Sequence, residues 1–227
     1  MTRSVLVVGH SADADAGYVG ERLVGLGYHL DPLPRDTGQL ADGVPAAGAP
    51  DVLLLLGSPW SVHSPVEPAS LASECALARS AAAAGVPVLG LCYGAQVLAR
   101  AFGGRVSAAA QPEVGWVTVE TDDPVLVPVG PWLAFHTDVI DPPATADVVA
   151  RNACGLQAFV MPGGLGVQFH PEVRPVTLDG WARRFPHLLA DAGVARAELI
   201  AQARANEPAA RTAAYAVVDA FLARFAT

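Results

Sequence analysis

Short apolar runs alternate with helical patterns along the first hundred residues. The runs are short and bounded by glycine or proline, which is typical of strands buried on both faces of a sheet. Each helical pattern is followed by a glycine. Strands that alternate with helices predict an α/β fold with a mostly parallel central sheet flanked by helices. The predicted strands are residues 5–8, 51–57 and 86–92, and the predicted helices are residues 19–26, 71–84 and 93–102.

The middle of the chain has a different pattern, in which strands follow one another with few helices between them. Such a succession predicts antiparallel strands in the second half of the fold. Residues 35–50 are rich in Gly, Ala and Pro, so they are predicted to form a loop. The predicted strands of the second half are residues 114–120, 132–140, 148–151, 156–161 and 166–169.

The chain becomes helical again from residue 181 to the end. Tyr215, Val218, Leu222 and Phe225 recur at intervals of three and four, which predicts an apolar stripe along a helix. The interpretation is one domain over residues 1–175 and a helical C-terminal extension over residues 176–227 that packs on it. The alternative for the stripe is a docking surface for another protein or for a second copy of this chain.

Composition narrows the possible partners. Of the 227 residues, 22 are acidic and 14 are basic, which gives a net charge of −8. An acidic surface repels phosphate, so no nucleic-acid partner is expected. No apolar run approaches the ~20 residues that a membrane-spanning helix needs, so no membrane association is expected.

The three cysteines are widely spaced and odd in number. Cys75, Cys92 and Cys154 therefore predict neither a disulfide framework nor a zinc site, and a cytoplasmic location with reduced thiols is expected. Cys75 and Cys154 are interpreted as small buried residues. No cofactor and no metal are expected.

Cys92 lies where a predicted strand meets a predicted helix. Residues 90–94 read Gly-Leu-Cys-Tyr-Gly, and a sharp turn flanked by glycines lifts the middle residue out of the sheet. The positive end of the following helix favours a thiolate, the nucleophilic form of cysteine. The N–H of Tyr93 is placed to receive an oxyanion. The alternative is a buried cysteine in a glycine-rich turn.

His170 and Glu172 stand two residues apart at the end of a predicted strand. On an extended segment this spacing puts both side chains on the same side. Glu172 is then able to orient the imidazole of His170, which acts as base and acid for a thiolate. The alternative is a surface histidine beside a proline turn.

A third element is the turn that follows the second predicted buried strand. Residues 56–62 read Leu-Gly-Ser-Pro-Trp-Ser-Val. Backbone N–H groups in such a turn are able to complete an oxyanion hole. The alternative is an ordinary connection from strand to loop.

These motifs together resemble a known family. Residues 90–96 (Gly-Leu-Cys-Tyr-Gly-Ala-Gln) and residues 168–172 (Gln-Phe-His-Pro-Glu) are similar to the signature of class I glutamine amidotransferases. The Gly-Ser-Pro turn at residues 57–59 resembles the oxyanion loop of that family. Residues 113–116 and 135–138 resemble the branch related to the amidotransferase domain of GMP synthetase. The resemblance implies a flavodoxin-like class I amidotransferase fold.

The resemblance also implies roles for particular residues. Cys92 is expected to attack the side-chain amide of glutamine. His170 is expected to protonate the departing ammonia and then to activate water, while Glu172 holds His170. The backbone N–H groups of Ser58 and Tyr93 are expected to bind the oxyanion.

Four further residues are implied to contact bound glutamine, and a core role is the alternative for the last of them. They are Gly57, Gln96, Phe135 and His136.

The motifs do not identify the molecule that accepts the ammonia. In GMP synthetase and its relatives, an ATP-dependent synthetase domain or a separate subunit uses the ammonia. Here residues 173–227 look helical, and no G-x-x-x-x-G-K phosphate loop is present. The expected function is hydrolysis of glutamine that supplies ammonia to a partner synthetase or another acceptor, with a homodimer as a further possibility. The alternatives are a γ-glutamyl hydrolase that cuts another γ-glutamyl amide and a catalytically silent regulatory subunit.

Overall fold

A computed structural model describes residues 3–40, 43–44 and 49–226. Two sheets and six helices account for most of this part of the chain. The strands are β1 (Arg3–Gly9), β2 (Tyr28–Pro34), β3 (Val52–Leu55), β4 (Val88–Leu91), β5 (Arg105–Val117), β6 (Glu120–Thr121), β7 (Trp132–Asp141), β8 (Asp147–Asn152), β9 (Gly155–Met161) and β10 (Gly164–Val167). The helices are α1 (Gly17–Gly25), α2 (Pro68–Ala83), α3 (Tyr93–Ala101), α4 (Pro175–Arg184), α5 (Pro186–Asp191) and α6 (Arg196–Phe225).

The central sheet has eight strands in the order β2-β1-β3-β4-β10-β9-β8-β6. The strands from β2 to β10 in this order run parallel, and β9, β8 and β6 join them antiparallel. The remaining strands, β5 and β7, pair antiparallel in a separate ribbon. The predicted α/β fold with a mostly parallel sheet and antiparallel strands in the second half is confirmed.

Helices cover both faces of the sheet because neighbouring strand residues point to opposite sides. On one face, Val5 and Val7 of β1 share a core with Val19 of α1 and with Val217 and Phe221 of α6. On the other face, the core joins β3 and β4 to α2 and α3. Since α6 contributes to the first core, the C-terminal extension packs on the sheet. The division of the chain at residue 175 stays a prediction.

The structure refines two predictions about the tail. The helices begin at Pro175, one residue before the predicted helical extension and earlier than residue 181, where the helical pattern was expected to resume; proline suits the first helical position. The stripe near the end of α6 is shifted by about one residue, because the buried residues there are Ala214, Val217, Val218 and Phe221. Of the stripe predicted from the sequence, Val218 is buried, while Tyr215, Leu222 and Phe225 are half-buried.

Two other differences have local causes. Strand β2 was not predicted, because it carries two prolines that are tolerated at the edge of a sheet. Cys154 is exposed instead of buried, since it lies in the turn between β8 and β9. The predicted loop over residues 35–50 lies partly outside the described residues, and its described part forms neither helix nor strand.

A buried ion pair lies beneath the ends of the parallel strands. The guanidinium of Arg35 donates hydrogen bonds to the carbonyls of Val8 (3.1 Å) and Leu56 (2.9 Å) and lies over the ring of Tyr93. The carboxylate of Glu74 is 3.6 Å from the guanidinium, and both side chains are fully buried. That separation is too long for a hydrogen bond, and burial raises the pKa of Glu74 despite the nearby Arg35 charge.

We expect Glu74→Leu to destabilise the protein by about 3–5 kcal/mol, because it leaves the Arg35 charge buried without a counter-charge. Adding Arg35→Met should recover part of that loss, since no unpaired charge then remains. Urea unfolding of the three proteins measures this. A double variant that is less stable than Glu74→Leu would show that the hydrogen bonds of Arg35 to the strand ends outweigh the charge effect.

Candidate active site

The candidate nucleophile stands in a strained turn between β4 and α3. Cys92 has φ 49° and ψ −107°, and it is the one residue other than glycine with a positive φ in the described part of the chain. Its N–H donates to the carbonyl of Val167 on β10, and its carbonyl accepts the N–H of Gln96. These two bonds hold a backbone conformation that costs on the order of 1–3 kcal/mol.

Two glycines make this turn possible by leaving no side chain. A Cβ at Gly90 would lie 2.6 Å from the carbonyl oxygen of Gly94, and a Cβ at Gly94 would lie 2.0 Å from the carbonyl oxygen of Leu55. Helix α3 therefore starts in direct backbone contact with the end of β3. This contact aims the positive end of α3 at Cys92.

His170 and Glu172 form a buried pair beside this turn. Nδ1 of His170 is 2.7 Å from Oε1 of Glu172, a hydrogen-bonding distance, and both side chains are almost completely buried. The other ring nitrogen, Nε2, is buried and has no hydrogen-bond partner within the described ranges. It is therefore available to a group that enters the cavity shared with Cys92.

The backbone on both sides of this pair is anchored. The N–H of His170 donates to Leu133 on β7, and the carbonyl of Glu172 accepts the N–H of Tyr18 on α1. A Cβ at Gly17 would lie 1.7 Å from the carbonyl oxygen of Glu172. Only glycine permits this close approach of α1, which also requires a positive φ of 48°.

The surroundings of His170 favour its charged form. Burial by itself would lower the pKa of His170, but interaction with Cys92 and with the Glu172 carboxylate outweighs burial and holds the pKa well above its ordinary value. A protonated imidazole next to a cysteine sulfur stabilises a thiolate. The pair is therefore suited to holding a proton near the candidate nucleophile.

Ser58 and Tyr93, the residues predicted to bind the oxyanion, both lie at the cavity. Tyr93 is the first residue of α3, and Ser58 follows β3 in the neighbouring loop. Neither backbone N–H has a hydrogen-bond partner among the residues that the structure describes, and both residues line the cavity. Gly57 does not line the cavity. It lies against the His170 ring, since a Cβ there would be 3.0 Å from Cε1 of His170.

A cavity of about 400 Å³ brings most of the predicted site residues together. The predicted residues on its wall are Ser58, Cys92, Tyr93, Gln96, Phe135, His136 and His170. Glu172 lies behind His170, away from the wall.

Sequence reasoning missed a second set of cavity residues. Trp181 of α4 lies edge-on to the His170 ring, with centroids 4.8 Å apart, and it also contacts Phe135. Asp13 is half-buried on the same wall, and burial raises its pKa. No local pattern marks Asp13 or the tail residues, because the helices of the tail reach the cavity only through folding. The missed lining residues are Asp13, Trp181, Phe185, His187 and Leu188. Five further lining residues lie in the motif segments 56–62 and 135–138 but were not named individually as site residues: Pro59, Trp60, Ser61, Thr137 and Asp138.

Both ring nitrogens of His136 are occupied. Nε2 is 2.8 Å from Oε2 of Glu113, and Nδ1 is 3.0 Å from the carbonyl oxygen of Asp138. Asn152 and Gln157 donate further hydrogen bonds to Glu113. A histidine held in this way can shape the cavity, but it has no ring nitrogen free for proton transfer.

Comparison with known proteins decides the family. Residues 19–181 match the family model described as "Glutamine amidotransferase class-I", a match that covers most of the chain. This chain belongs to that family. The match includes the Cys92 turn and residues 168–172, so the resemblance of the motifs to class I amidotransferases is confirmed.

The relatives of this amidotransferase include GMP synthases. It is 32% identical over 180 residues to the GMP synthase of Aeropyrum pernix, which covers 73% of this chain and 33% of that protein. It is 34% identical over 133 residues to a protein of Sulfurisphaera tokodaii named as one subunit of a GMP synthase, covering 55% of this chain and 68% of that one. The chain spans a third or less of the length of the first GMP synthases it matches.

The fold is similar to that of a solved structure over almost the whole chain. A glutamine amidotransferase from Thermotoga maritima superposes with a TM-score of 0.85 over 98% of this amidotransferase and 99% of its own chain, at 23% identity. That similarity includes the helical tail. Among the described residues, none of the helices has both the length and the hydrophobicity needed to cross a membrane.

The Glu113 network gives a pH-dependent contribution to stability. Burial alone would raise the pKa of Glu113, but the hydrogen bond and charge of His136, with hydrogen bonds from further neighbours, hold it below its ordinary value of 4.5. A lowered folded-state pKa means stability that is present above about pH 4.5 and is lost as the pH falls through the folded-state value.

We therefore expect Glu113→Gln to be less stable than the parent protein at neutral pH. The difference should shrink as the pH falls below about 4.5, because the parent then loses the same charge. Urea unfolding at stepped pH measures this. Glu120→Gln, at an exposed carboxylate on β6, is the matched control and should not reproduce the trend. A difference independent of pH would contradict the assignment.

Proposed function

We propose that this class I amidotransferase hydrolyses the side-chain amide of glutamine with Cys92 as nucleophile, His170 as acid and base, and Glu172 as the residue that orients His170. The observation that carries the proposal is the buried His170–Glu172 pair, whose free Nε2 shares a cavity with the strained Cys92 turn. Membership of the family supports glutamine as the substrate.

In the first half-reaction, the Cys92 thiolate attacks the carbonyl carbon of the side-chain amide. The negative charge that develops on oxygen is received by the N–H groups of Ser58 and Tyr93. His170 then donates its proton to the amide nitrogen, the C–N bond breaks, and ammonia leaves. The product is a γ-glutamyl thioester on Cys92. The raised pKa of His170 suits this step, because the imidazole enters it protonated.

In the second half-reaction, water takes the place of the ammonia. Neutral His170 accepts a proton from the water as its oxygen attacks the thioester carbon. The C–S bond breaks, glutamate leaves, and the Cys92 thiolate beside protonated His170 is restored. Glu172 keeps Nδ1 occupied throughout, so that Nε2 remains the nitrogen that exchanges protons.

The wall of the cavity supports the proposed binding residues. Gln96, Phe135 and His136 line it together with Cys92, so a glutamine whose amide reaches the sulfur lies against them. Because both nitrogens of His136 are occupied, we assign it to binding and shape instead of proton transfer. Gly57 supports the site by leaving room for the His170 ring.

The ammonia is proposed to pass to a synthetase. One relative is named as a single subunit of a GMP synthase, and other matched relatives are GMP synthases several times longer than the matched region. A synthetase subunit is therefore the favoured partner, and a second copy of this chain is the alternative. Release of ammonia within such a complex would prevent its loss to water as ammonium.

One observation favours a second candidate, hydrolysis of a larger γ-glutamyl amide. The cavity of about 400 Å³ extends from Cys92 to Trp181, Phe185 and Leu188 of the tail. A volume of this size lies in the range of sites that enclose ligands larger than a single amino acid. The same three catalytic groups would act, and an amine instead of ammonia would leave.

Cys92 is expected to be the single site of reaction with a glutamine analogue that carries a diazoketone. Mass spectrometry of the labelled protein identifies the adduct. Cys92→Ala should abolish ammonia release from glutamine, whereas Cys154→Ser, at an exposed thiol outside the cavity, should leave it unchanged. An adduct on Cys154, or activity retained in Cys92→Ala, would remove the basis of the mechanism. Faster amine release from γ-glutamyl amides than ammonia release from glutamine would favour the second candidate.

The two cavity histidines should differ in what they contribute. His170→Ala should lower kcat by on the order of 10²–10⁴, the usual worth of general acid–base catalysis. His136→Ala should mainly raise KM, because its nitrogens are already bonded to Glu113 and Asp138. Steady-state ammonia release gives both constants. Equal losses of kcat in the two variants would show that proton transfer is assigned to the wrong residue.

A further inference from the structure

A second glutamine lies against the candidate nucleophile. Nε2 of Gln168 donates a hydrogen bond to Sγ of Cys92 at 3.5 Å, and Oε1 of Gln168 accepts one from Nε2 of Gln96 at 3.3 Å. The same sulfur also interacts with the ring of His170. The proposed hydrolysis of glutamine assigns no role to Gln168.

The side chain of Gln168 has little freedom to move away from the sulfur. It is 1% exposed, and its backbone N–H donates to the carbonyl of Gln157 on β9 at 2.8 Å. The next residue, Phe169, stacks on Trp132 with ring centroids 4.4 Å apart. The segment is therefore anchored to β9 and to the start of β7, and the amide of Gln168 is held where it meets Cys92.

The chemistry of a thiolate determines which way this amide faces. A thiolate has no proton to donate, so the NH₂ group of Gln168 must face it. The oxygen of Gln168 then needs a donor, which the NH₂ group of Gln96 supplies. The oxygen of Gln96 is left as an acceptor, and Gln96 lines the cavity. Each amide thus has one orientation that satisfies its neighbours.

We propose that Gln168 is a further catalytic residue, which stabilises the Cys92 thiolate through this hydrogen bond, and that Gln96 is a positioning residue that acts through Gln168. The proposal rests on the proposed role of Cys92 as nucleophile. A directed hydrogen bond to a charged acceptor favours the charged form. It weakens when the sulfur becomes a neutral thioester and is restored when glutamate leaves, so no proton or covalent bond passes through Gln168.

The test measures thiolate formation without substrate or partner. Iodoacetamide alkylates Cys92 at a rate that mass spectrometry of the Cys92 peptide measures at each pH. The plot of this rate against pH has its midpoint where half of the sulfur is thiolate. Gln168→Leu keeps the bulk and removes the donor, and it should raise this midpoint by about one to two pH units. Gln168→Glu keeps the shape but places a carboxylate at the sulfur, and it should raise the midpoint at least as far.

The matched control is Gln157→Leu. Gln157 is also 1% exposed and lies on the adjacent strand, but its amide donates to Glu113 and Asn152 instead of sulfur. The midpoint of Cys92 alkylation in Gln157→Leu should equal that in the parent protein. Gln96→Leu should give a smaller rise than Gln168→Leu, since the donor remains but loses its orienting partner. A purely structural role for Gln168 would lower the melting temperature without moving the midpoint.

The outcomes separate this inference from the proposed function. A midpoint that does not move in Gln168→Leu, or one that moves equally in Gln157→Leu, would overturn the role of Gln168 whether or not glutamine is hydrolysed. If Gln168→Leu does not fold, Gln96→Leu decides the question by the same readout, because it removes the partner that orients the Gln168 donor; an unmoved midpoint there would overturn the role. A parent protein that forms the Cys92 thiolate but releases no ammonia from glutamine would instead count against the proposed function.

Discussion

The direct backbone contact between the start of α3 and the end of β3 is the constraint on which the site depends. Gly94 lies so close to Leu55 that no side chain fits between them, and this closeness forces the turn that lifts Cys92 from the sheet. The same contact places the first N–H of α3 next to the loop after β3. A single packing requirement therefore positions the candidate nucleophile and both groups proposed for the oxyanion.

The site buries ionisable groups, and each of them has a neighbour that offsets the cost of burial. His170 is buried between Cys92 and Glu172, whose combined effect exceeds the penalty of burial. Near the same strand ends, Arg35 faces Glu74 and donates a hydrogen bond to the carbonyl of Leu56, which precedes the loop proposed to bind the oxyanion. The active-site loops thus rest on charged groups that have few alternative partners, which favours one arrangement of the loops.

The helical tail belongs to the cavity as well as to the core. Helix α6 completes the core over β1. Trp181 of α4 lies against His170, and Phe185, between α4 and α5, lies against Phe135. The cavity wall therefore includes residues far from every sequence motif. Some of these residues follow residue 181, where the match to the family model ends. The proposed choice of substrate therefore depends partly on side chains outside the matched region.

Local pattern was enough to predict most strands and helices, the Cys92 turn and the pairing of His170 with Glu172, because each depends on neighbours within a few residues. It missed β2, because prolines are uncommon in strands other than edge strands. It also placed the buried stripe of α6 about one residue away from its position, and it predicted that Cys154 is buried. Only the tertiary structure put β4 beside β10, so that Cys92 and Gln168 meet although 76 residues separate them. Such contacts depend on strand order and packing, which periodicity along the chain does not encode.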